Sequence, residues 1–405
     1  MSDFFRLQKH IDELSRIGGS GTAVTRLGLS AEEQAARHLV GSWCEARGAK
    51  IRRDAAANLY ARFAGERDDE PVLLIGSHLD SVPEGGRFDG ALGVICALEA
   101  IESLLDVGTR FGRPVELAAW ADEEGARFGV GLFGSSAAFG RLPQDVAQRA
   151  DKDGVTIAAA LRALGEKGEP EAARRDPKAI VNYLELHIEQ GPHLADAKKA
   201  LGVVTDIVGI VHGRITVTGR ADHAGATAME GRADAFLGAA EIALALETAA
   251  KGQAIAVGTV GEVRVRPGAK NVVPGECVIS IDVRAPEQRR INAVMDQLKS
   301  AIAKVEQTRG LKTSLDLLAA LPPTDLDPSV RDLVARAAES VGVDAPELTS
   351  GAGHDAQNPR LAGVPTGMLF IRSTGGSHKP SEMASTADAA LAADALAFAI
   401  RRLTR

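Results

Sequence analysis

Apolar and polar positions follow a strand-and-helix pattern through residues 1–209 of this chain. Short, mainly apolar runs at Val72–Ile75, Val115–Trp120 and Val181–Leu186 predict strands. Between the first two runs, apolar residues from Val94 to Leu105 recur at helical spacing and predict an amphipathic helix. Strands that alternate with helices in this way indicate an open α/β sheet.

The pattern changes between residues 210 and 322, where strands and helices follow the order β-α-β-β-α-β. The predicted elements are a strand at 214–218, a helix at 232–251, strands at 255–265 and 277–284, a helix at 291–305 and a strand at 312–318. This order is typical of a ferredoxin-like α+β domain.

Residues 323–405 return to α/β character, with a predicted helix at 329–341, a strand at 367–371 and a helix at 388–403. A chain of 405 residues also exceeds what one hydrophobic core usually serves. We therefore predict a two-domain α/β protein. Residues 1–209 and 323–405 form one discontinuous α/β domain, and residues 210–322 form an inserted ferredoxin-like domain.

Composition narrows the classes of function. The net charge of -7 and the absence of a basic block argue against nucleic acid as a partner. Three widely spaced cysteines form no disulfide framework, which fits a reducing compartment. The N-terminus has no secretory pattern, and no apolar stretch approaches the roughly 20 residues of a membrane span. We expect a soluble, cytoplasmic protein that has no membrane partner.

Residues of types that can bind metals stand at or just beyond the ends of the predicted strands. They are His78 in G-S-H-L-D, Asp89 in G-G-R-F-D-G, Glu124 in D-E-E-G, His187 in L-H-I-E-Q-G and His378 in G-G-S-H-K-P-S-E. Open α/β sheets place their sites at the carboxyl ends of strands. Each residue alone has an ordinary structural interpretation, such as a turn former or a solvated edge. Their common placement favours a shared metal site.

Three imidazoles and two carboxylates suit a pair of divalent ions that share one carboxylate. We expect Asp89 to bridge, with His78 and His187 on one ion and Glu124 and His378 on the other. Three protein ligands for each ion leave room for water, as in catalytic sites. Such ligands accept Zn, Mn, Co or Ni.

Two further carboxylates stand beside these ligands. Asp80, two positions after His78, is placed to accept the second N–H of that imidazole and to fix its tautomer. Glu123, which precedes Glu124, suits the role of general base toward a water molecule whose pKa a metal lowers to about 7.

Several long motifs resemble the M20 metallopeptidase-type amidohydrolases, specifically the hydantoinase/carbamoylase branch. The motifs, which span nearly the whole chain, are G-G-S-G-T-A-V-T-R-L, G-S-H-L-D-S-V-P-E-G-G-R-F-D-G-A-L-G-V, D-E-E-G-A-R-F, H-I-E-Q-G-P, H-A-G, K-N-V-V-P-G-E, D-V-R and S-G-A-G-H-D-A. The resemblance implies a catalytic α/β domain with two metal ions, and an inserted lid domain that also forms a homodimer. It assigns the same five ligands, and the base role to Glu123.

The resemblance also implies a set of substrate contacts: Gln190, His223, Asn271, Arg284, Gly353 and His354. Arg284 suits bidentate binding of a substrate carboxylate. His223 suits donation to a developing oxyanion, and in the family this histidine reaches the neighbouring subunit. One departure follows H-A-G, where Ala228 replaces the usual proline, and we expect it to loosen that loop.

The leading functional hypothesis is hydrolysis of the carbamoyl C–N bond of N-carbamoyl-L-amino acids, small molecules that carry a carboxylate. Allantoate amidohydrolase is an alternative, although such relatives tend to carry glutamine where Ile210 stands. Hydrolysis of another N-acyl or conjugated amino acid is a third hypothesis. A catalytically silent binding protein is the fourth, but Glu123 and all five ligands are present.

Overall fold

A computed structural model describes residues 1–405, and the chain folds into two compact units. The first unit combines Met1–Thr205 with Asp325–Arg405, so it is discontinuous in sequence. The second unit is the intervening segment Asp206–Thr324. The sequence had placed these two boundaries at residues 210 and 322, a few positions inside the observed ones.

The α-helices are α1 (Phe4–Ser15), α2 (Ala31–Ala46), α3 (Ala91–Asp106), α4 (Phe133–Ala138), α5 (Ile157–Ala163), α6 (His193–Asp196), α7 (Ala235–Lys251), α8 (Gln288–Arg309), α9 (Pro328–Ser340), α10 (Gln357–Leu361) and α11 (Thr386–Leu403). Short 3-10 helices are found at Val146–Gln148, Pro170–Ala173 and Pro177–Ala179. No helix is both long and apolar enough to cross a membrane.

The strands are β1 (Gly19–Ser20), β2 (Ala23–Val24), β3 (Lys50–Arg53), β4 (Leu59–Phe63), β5 (Val72–His78), β6 (Val115–Trp120), β7 (Ile180–Ile188), β8 (Leu201–Ile207), β9 (Gly209–Thr218), β10 (Asp222–His223), β11 (Val257–Thr259), β12 (Val263–Arg266), β13 (Val272–Val273), β14 (Glu276–Ala285), β15 (Lys312–Leu321), β16 (Thr324–Asp325), β17 (Glu347–Ser350), β18 (Thr366–Ile371), β19 (Ser373–Thr374) and β20 (Met383–Ala384).

The main sheet has the strand order β16-β8-β18-β7-β5-β6-β4-β3, and β17 also pairs with β8. Its four central strands, β18, β7, β5 and β6, are parallel. The strands that join β18 and β6 on their outer sides, β8 and β4, run antiparallel to them. Every residue of β5, β6 and β18 is buried, as is usual for parallel strands that are covered on both faces, and most of these residues are apolar.

Helix α3 packs closely against this parallel core, and its residues from Ala91 to Ser103 are all buried. A Cβ added at Gly93 would lie 1.9 Å from the carbonyl oxygen of Leu186 on β7. The glycine therefore allows the helix to approach the strand that carries His187.

The second unit contains an antiparallel sheet with strand order β11-β14-β9-β15, and β12 also pairs with β14. Buried and half-buried residues alternate along all of β14, as a one-sided sheet requires. The expected strand at 255–265 is instead two strands, β11 and β12. The chain leaves the ladder between them, and the Ser280 hydroxyl accepts hydrogen bonds from the N–H groups of Gly261 and Glu262.

Candidate metal centre

The four parallel strands of the main sheet place the predicted ligands at one edge. His78 is the last residue of β5 and His187 is the penultimate residue of β7. The D-E-E-G segment follows β6, and His378 lies in the segment beyond β18. Because parallel strands end at the same edge, side chains more than 100 residues apart in sequence become neighbours.

Asp89 reaches the same place from the turn before α3. The next residue, Gly90, has a φ of 61°, a left-handed conformation that glycine adopts without steric cost. A Cβ at Gly90 would also lie 2.3 Å from Nε2 of His78. The glycine therefore permits both the turn and the close approach of the His78 ring.

One oxygen of the Asp89 carboxylate faces two histidines. Asp89 Oδ1 lies 3.2 Å from His187 Nε2 and 3.8 Å from His78 Nε2. The two imidazole Nε2 atoms are 3.4 Å apart. All three side chains are buried, and together they form a group of ligand atoms that could hold a cation.

The other oxygen of Asp89 faces a second group. Asp89 Oδ2 lies 3.4 Å from His378 Nε2, which is in turn 3.2 Å from Glu124 Oε2. These three side chains form another group able to hold a cation. Asp89 belongs to both groups through different oxygens, which is the arrangement of a bridging carboxylate.

The spacing of these atoms fits divalent metal ions. Tetrahedral ligands at 2.0–2.2 Å from zinc lie about 3.3–3.6 Å from one another, close to the separations in both groups. The second oxygen of Glu124, Oε1, is buried without a hydrogen-bond partner. A buried carboxylate oxygen left in this way is costly unless a cation satisfies it.

The electrostatics of the site also favour cations. Burial, followed by the charges of Asp355, Glu124, Asp80 and Asp89, raises the pKa of Glu123 well above its usual value. Burial and the charge of Asp89 raise the pKa of Glu124 in the same way. Burial is the largest influence on the pKa of His187 and lowers it, but the hydrogen bond to Asp89 and the charges of Asp89 and Glu185 together outweigh burial and raise this pKa to about 9. Positive charge from a metal ion would relieve this concentration of acids.

Asp80 fixes the loop that carries Glu123 and Glu124. Its two carboxylate oxygens accept hydrogen bonds from the main-chain N–H groups of these residues, each at 3.0 Å. Its Oδ1 also lies 3.4 Å from Nδ1 of His78, within ion-pair distance. The hydrogen-bond partner of His78 Nδ1 is the main-chain carbonyl of Asp80, at 3.2 Å, and not the carboxylate that the sequence predicted. The carboxylate instead holds the acidic loop, a contact that the sequence did not predict.

A third group of potential ligands, Glu185, His187 and His354, shares His187 with the first group. Here the partners are already satisfied by protein atoms. Glu185 accepts hydrogen bonds from the Ser77 hydroxyl and from the main-chain N–H of Ala356. The His354 ring packs edge-on against the ring of His187, with centroids 4.5 Å apart, and this contact helps to hold the candidate ligand His187 in place.

The proposed substrate contacts fall in both units. In the first unit, Gln190 donates from its side-chain amide to Asp89 Oδ2 at 2.9 Å, and Gly353 adjoins the buried His354. In the second unit, the Arg284 guanidinium forms a two-point hydrogen bond with Asp282, with both contacts at 2.9 Å.

His223 and Asn271 lie on neighbouring segments of the second unit, and both are exposed. His223 accepts hydrogen bonds at Nδ1 from the N–H groups of Gly225 and Ala226, each at 3.1 Å. The carbonyl of Asn271 accepts from the N–H of Ala224. The Arg232 guanidinium donates to carbonyl oxygens along the loop after His223, those of Ala224, Thr227 and Ala228. That Ala228 loosens this loop stays a prediction.

Three residues near the site were not identified from the sequence. Glu382 and Ser377 contact the turn and the carboxylate of Asp89, and Glu33 accepts a hydrogen bond from the N–H of Asp122, just before Glu123. The signal for Glu382 was visible, because an acid four residues after His378 stands in the same motif. Glu33 lies in a helix far from any site motif and gave no such signal.

Comparison with known proteins identifies the family that this fold and site define. Residues 74–402 match the model of peptidase family M20/M25/M40, so the chain belongs to that family, whose members are metal-dependent. The protein is an amidohydrolase of this family, as the resemblance implied.

Two curated relatives and one solved structure cover nearly all of the chain. An N-carbamoyl-L-amino acid amidohydrolase of Geobacillus stearothermophilus is 37% identical, over 99% of this chain and 98% of the relative. An allantoate deiminase of Arabidopsis thaliana is 33% identical, over 92% and 77%. The crystal structure of a hydantoinase/carbamoylase-family amidase from Burkholderia vietnamiensis is 35% identical with a TM-score of 0.91, and covers 100% of this chain and 98% of that one.

Proposed function

We propose that the protein binds two divalent metal ions and hydrolyses the carbamoyl C–N bond of N-carbamoyl-L-amino acids. The observation that carries the proposal is the division of the Asp89 carboxylate between two groups of ligands. His78, Asp89 and His187 would hold one ion, and Asp89, Glu124 and His378 the other. Bound there, such ions lower the pKa of water and polarise a carbonyl oxygen.

Glu123 carries the proton in this proposal. It lies in the acidic group with Oε2 3.7 Å from His78 Nε2, and its main-chain N–H is fixed by Asp80. We assign it to accept a proton from the attacking water and to transfer that proton to the departing nitrogen. The reaction yields a free amino acid and carbamate, and the carbamate decomposes to carbon dioxide and ammonia.

The remaining assignments concern substrate recognition. We assign Arg284 to the substrate carboxylate, because a guanidinium matches that group with two parallel hydrogen bonds. Asp282 orients the guanidinium, and His212 supports Asp282 through a contact of 3.1 Å. We assign His223 to the developing oxyanion, and Gln190, Asn271 and the Gly353–His354 turn to the polar atoms of the substrate.

A substrate panel tests the proposal directly. Ammonia release is measured on N-carbamoyl-L-amino acids and allantoate, and amino acid release on N-acyl amino acids, with defined Zn²⁺, Mn²⁺, Co²⁺ or Ni²⁺ and again after chelation. We expect N-carbamoyl-L-amino acids to be preferred and chelation to abolish turnover. Turnover that survives complete metal removal would exclude the mechanism, and a preference for allantoate would move the protein to the alternative substrate.

The variant Glu123→Gln separates chemistry from binding. The amide has nearly the same size but cannot accept the proton, so we expect kcat to fall by about 10²–10⁴-fold while metal content is retained. Glu169→Gln, at an exposed glutamate outside the site, is a control for the same chemical change and should keep wild-type kcat. A catalytically silent binding protein would instead show no turnover to lose in either variant.

We also propose that the second unit serves as a lid and as the surface of a homodimer. In support, this unit exposes apolar side chains on α7, where Phe236 is 43% and Leu244 63% exposed, and on edge strands at Val257 and Val263. We expect light scattering to give the mass of a dimer. Leu244→Glu should give a monomer, and a monomeric wild-type protein would contradict the proposal.

A further inference from the structure

Glu382 is a buried acid that contacts two segments of the candidate metal centre without being one of its ligands. Only 2% of its surface is exposed. Its Oε1 accepts hydrogen bonds from the main-chain N–H of Phe88 at 3.1 Å and of Asp89 at 3.0 Å. Its Oε2 lies 3.0 Å from the Ser377 hydroxyl.

The Ser377 hydroxyl extends this contact to the Asp89 side chain. Its Oγ lies 2.7 Å from Asp89 Oδ2, the oxygen that faces His378. Glu382 therefore contacts the main chain of Asp89 directly and shares the Ser377 hydroxyl with Asp89 Oδ2, although the single hydroxyl proton can be donated to only one of the two carboxylates at a time. Neither Glu382 nor Ser377 contacts the other oxygen of Asp89, Oδ1, which faces His187 and His78.

The local sequence makes room for this carboxylate. A Cβ added at Gly86 would lie 2.1 Å from Glu382 Oε1 and 2.6 Å from Glu382 Cβ. The glycine of G-G-R-F-D therefore lets the turn before α3 close onto the glutamate, and any larger residue would displace it.

His378 depends on the same anchor. Its side chain is 49% exposed, and its φ of 59° lies in the left-handed region that residues other than glycine seldom adopt. Glu382, four residues later, joins this segment to a turn that lies 293 residues earlier in the chain. An exposed ligand on a strained loop needs such a fixed point to stay near Asp89 and Glu124.

We propose that Glu382 is a positioning residue for the second of the two metal sites, the one formed by Asp89, Glu124 and His378. It sets the direction of Asp89 Oδ2 and the place of the His378 segment, and it does not itself bind substrate. The inference rests on the two-ion site of the proposed function, but it does not depend on which substrate is hydrolysed.

Titration of the metal-free protein with Zn²⁺, followed by calorimetry, tests this role without an activity assay. We expect the wild type to bind two ions. Glu382→Ala should weaken one of them by about 10–100-fold, as is typical when a group that orients a ligand is removed, and leave the other within about 3-fold. Glu382→Gln retains an oxygen for both N–H groups, and should stay within about 5-fold of wild type.

Matched variants separate positioning from general stability. Glu99 is another fully buried glutamate, ion-paired with Arg6 on α1 and outside the site. Glu99→Ala should lower the melting temperature and leave both zinc affinities unchanged. If Glu382→Ala does not fold, Ser377→Ala and Gly86→Ala disturb the same contacts and should weaken the same single ion.

Two results would overturn the inference. One is unchanged affinity for both ions in folded Glu382→Ala, Ser377→Ala or Gly86→Ala. The other is equal weakening of both ions, which would indicate a purely structural glutamate. A wild-type protein that binds fewer than two ions would count against the proposed function and remove the basis of this inference. Failure to hydrolyse N-carbamoyl-L-amino acids with two ions bound would leave the inference standing.

Discussion

At the scale of single residues, two carboxylates hold the candidate site together by accepting hydrogen bonds from main-chain N–H groups. Asp80 holds the N–H groups of Glu123 and Glu124, and Glu382 holds those of Phe88 and Asp89. An ionised carboxylate that accepts two N–H groups forms strong, directional contacts. Each acidic segment of the site is therefore positioned by another acid, and this requires nearby positive charge.

His10 gives a prediction at this scale that concerns stability alone. Its ring stacks on Trp43 with centroids 4.0 Å apart. Burial, then the charges of Arg6 and Lys9, lowers its pKa from 6.5 to about 4. The folded state thus binds fewer protons than the unfolded state between these values, so His10 contributes stability above pH 6.5 that is lost as pH falls toward 4.

The variant His10→Phe keeps the aromatic stack and removes the titration. Between pH 7.5 and pH 4.5, we expect the free energy of unfolding of His10→Phe to fall by about 2 kcal/mol less than that of wild type, because the variant has no imidazole to protonate. Urea denaturation at both pH values measures this difference. His38→Phe, at an exposed histidine, controls for loss of a surface imidazole. Parallel pH profiles for wild type and His10→Phe would contradict the assignment.

At the scale of elements, burial explains which helices and strands could be recognised from sequence. The apolar face predicted for the helix near residues 291–305 matches the buried residues of α8, because one side of this helix packs on a sheet. The predicted strand at 255–265 failed because the ladder is interrupted, and its residues are mostly exposed. Hydrophobic periodicity arises where one face of an element is buried, and these edge strands have few buried residues.

Two helical glycines give a matched pair of variants at this scale. Gly93→Ala would place a Cβ 1.9 Å from the carbonyl oxygen of Leu186, so we expect a loss of about 1–3 kcal/mol or more in the free energy of unfolding. Gly41→Ala in α2 would meet side-chain atoms no closer than 3.6 Å, and should gain about 0.5–1 kcal/mol from helix propensity.

Thermal and denaturant unfolding of the two glycine variants would measure both effects. Opposite signs are the expected outcome, because both residues are helical and differ mainly in the space around them. Equal effects would show that the close packing of α3 on β7 does not limit the substitution at Gly93.

At the scale of the whole molecule, all five candidate ligands belong to the first unit, although the chain leaves that unit and returns to it. Four ligands precede the second unit in sequence, and His378 follows it. Metal ions would therefore connect the two separate stretches of the first unit. A ligand that binds only the folded state stabilises it, by about 2.7 kcal/mol at a concentration of 100 Kd.

Metal removal should consequently affect the two units unequally. We expect chelation to increase amide hydrogen exchange, measured by mass spectrometry, at residues 78–90, 121–125, 185–190 and 375–383. Exchange in the core of the second unit, at β9 and β14, should change little, since no ligand comes from it. A uniform increase across both units would contradict a metal centre confined to the first.

The sequence by itself determined the order and type of most elements, the candidate ligands near the strand ends and the resemblance to the M20 family. Each of these depends on local periodicity or on short motifs, which a linear chain carries directly. The tertiary structure alone decided which Asp89 oxygen faces which histidines, that Asp80 holds the acidic loop, and that Glu382 anchors the Asp89 turn. These contacts join residues up to 293 or 294 positions apart, and only packing fixes their distances and directions.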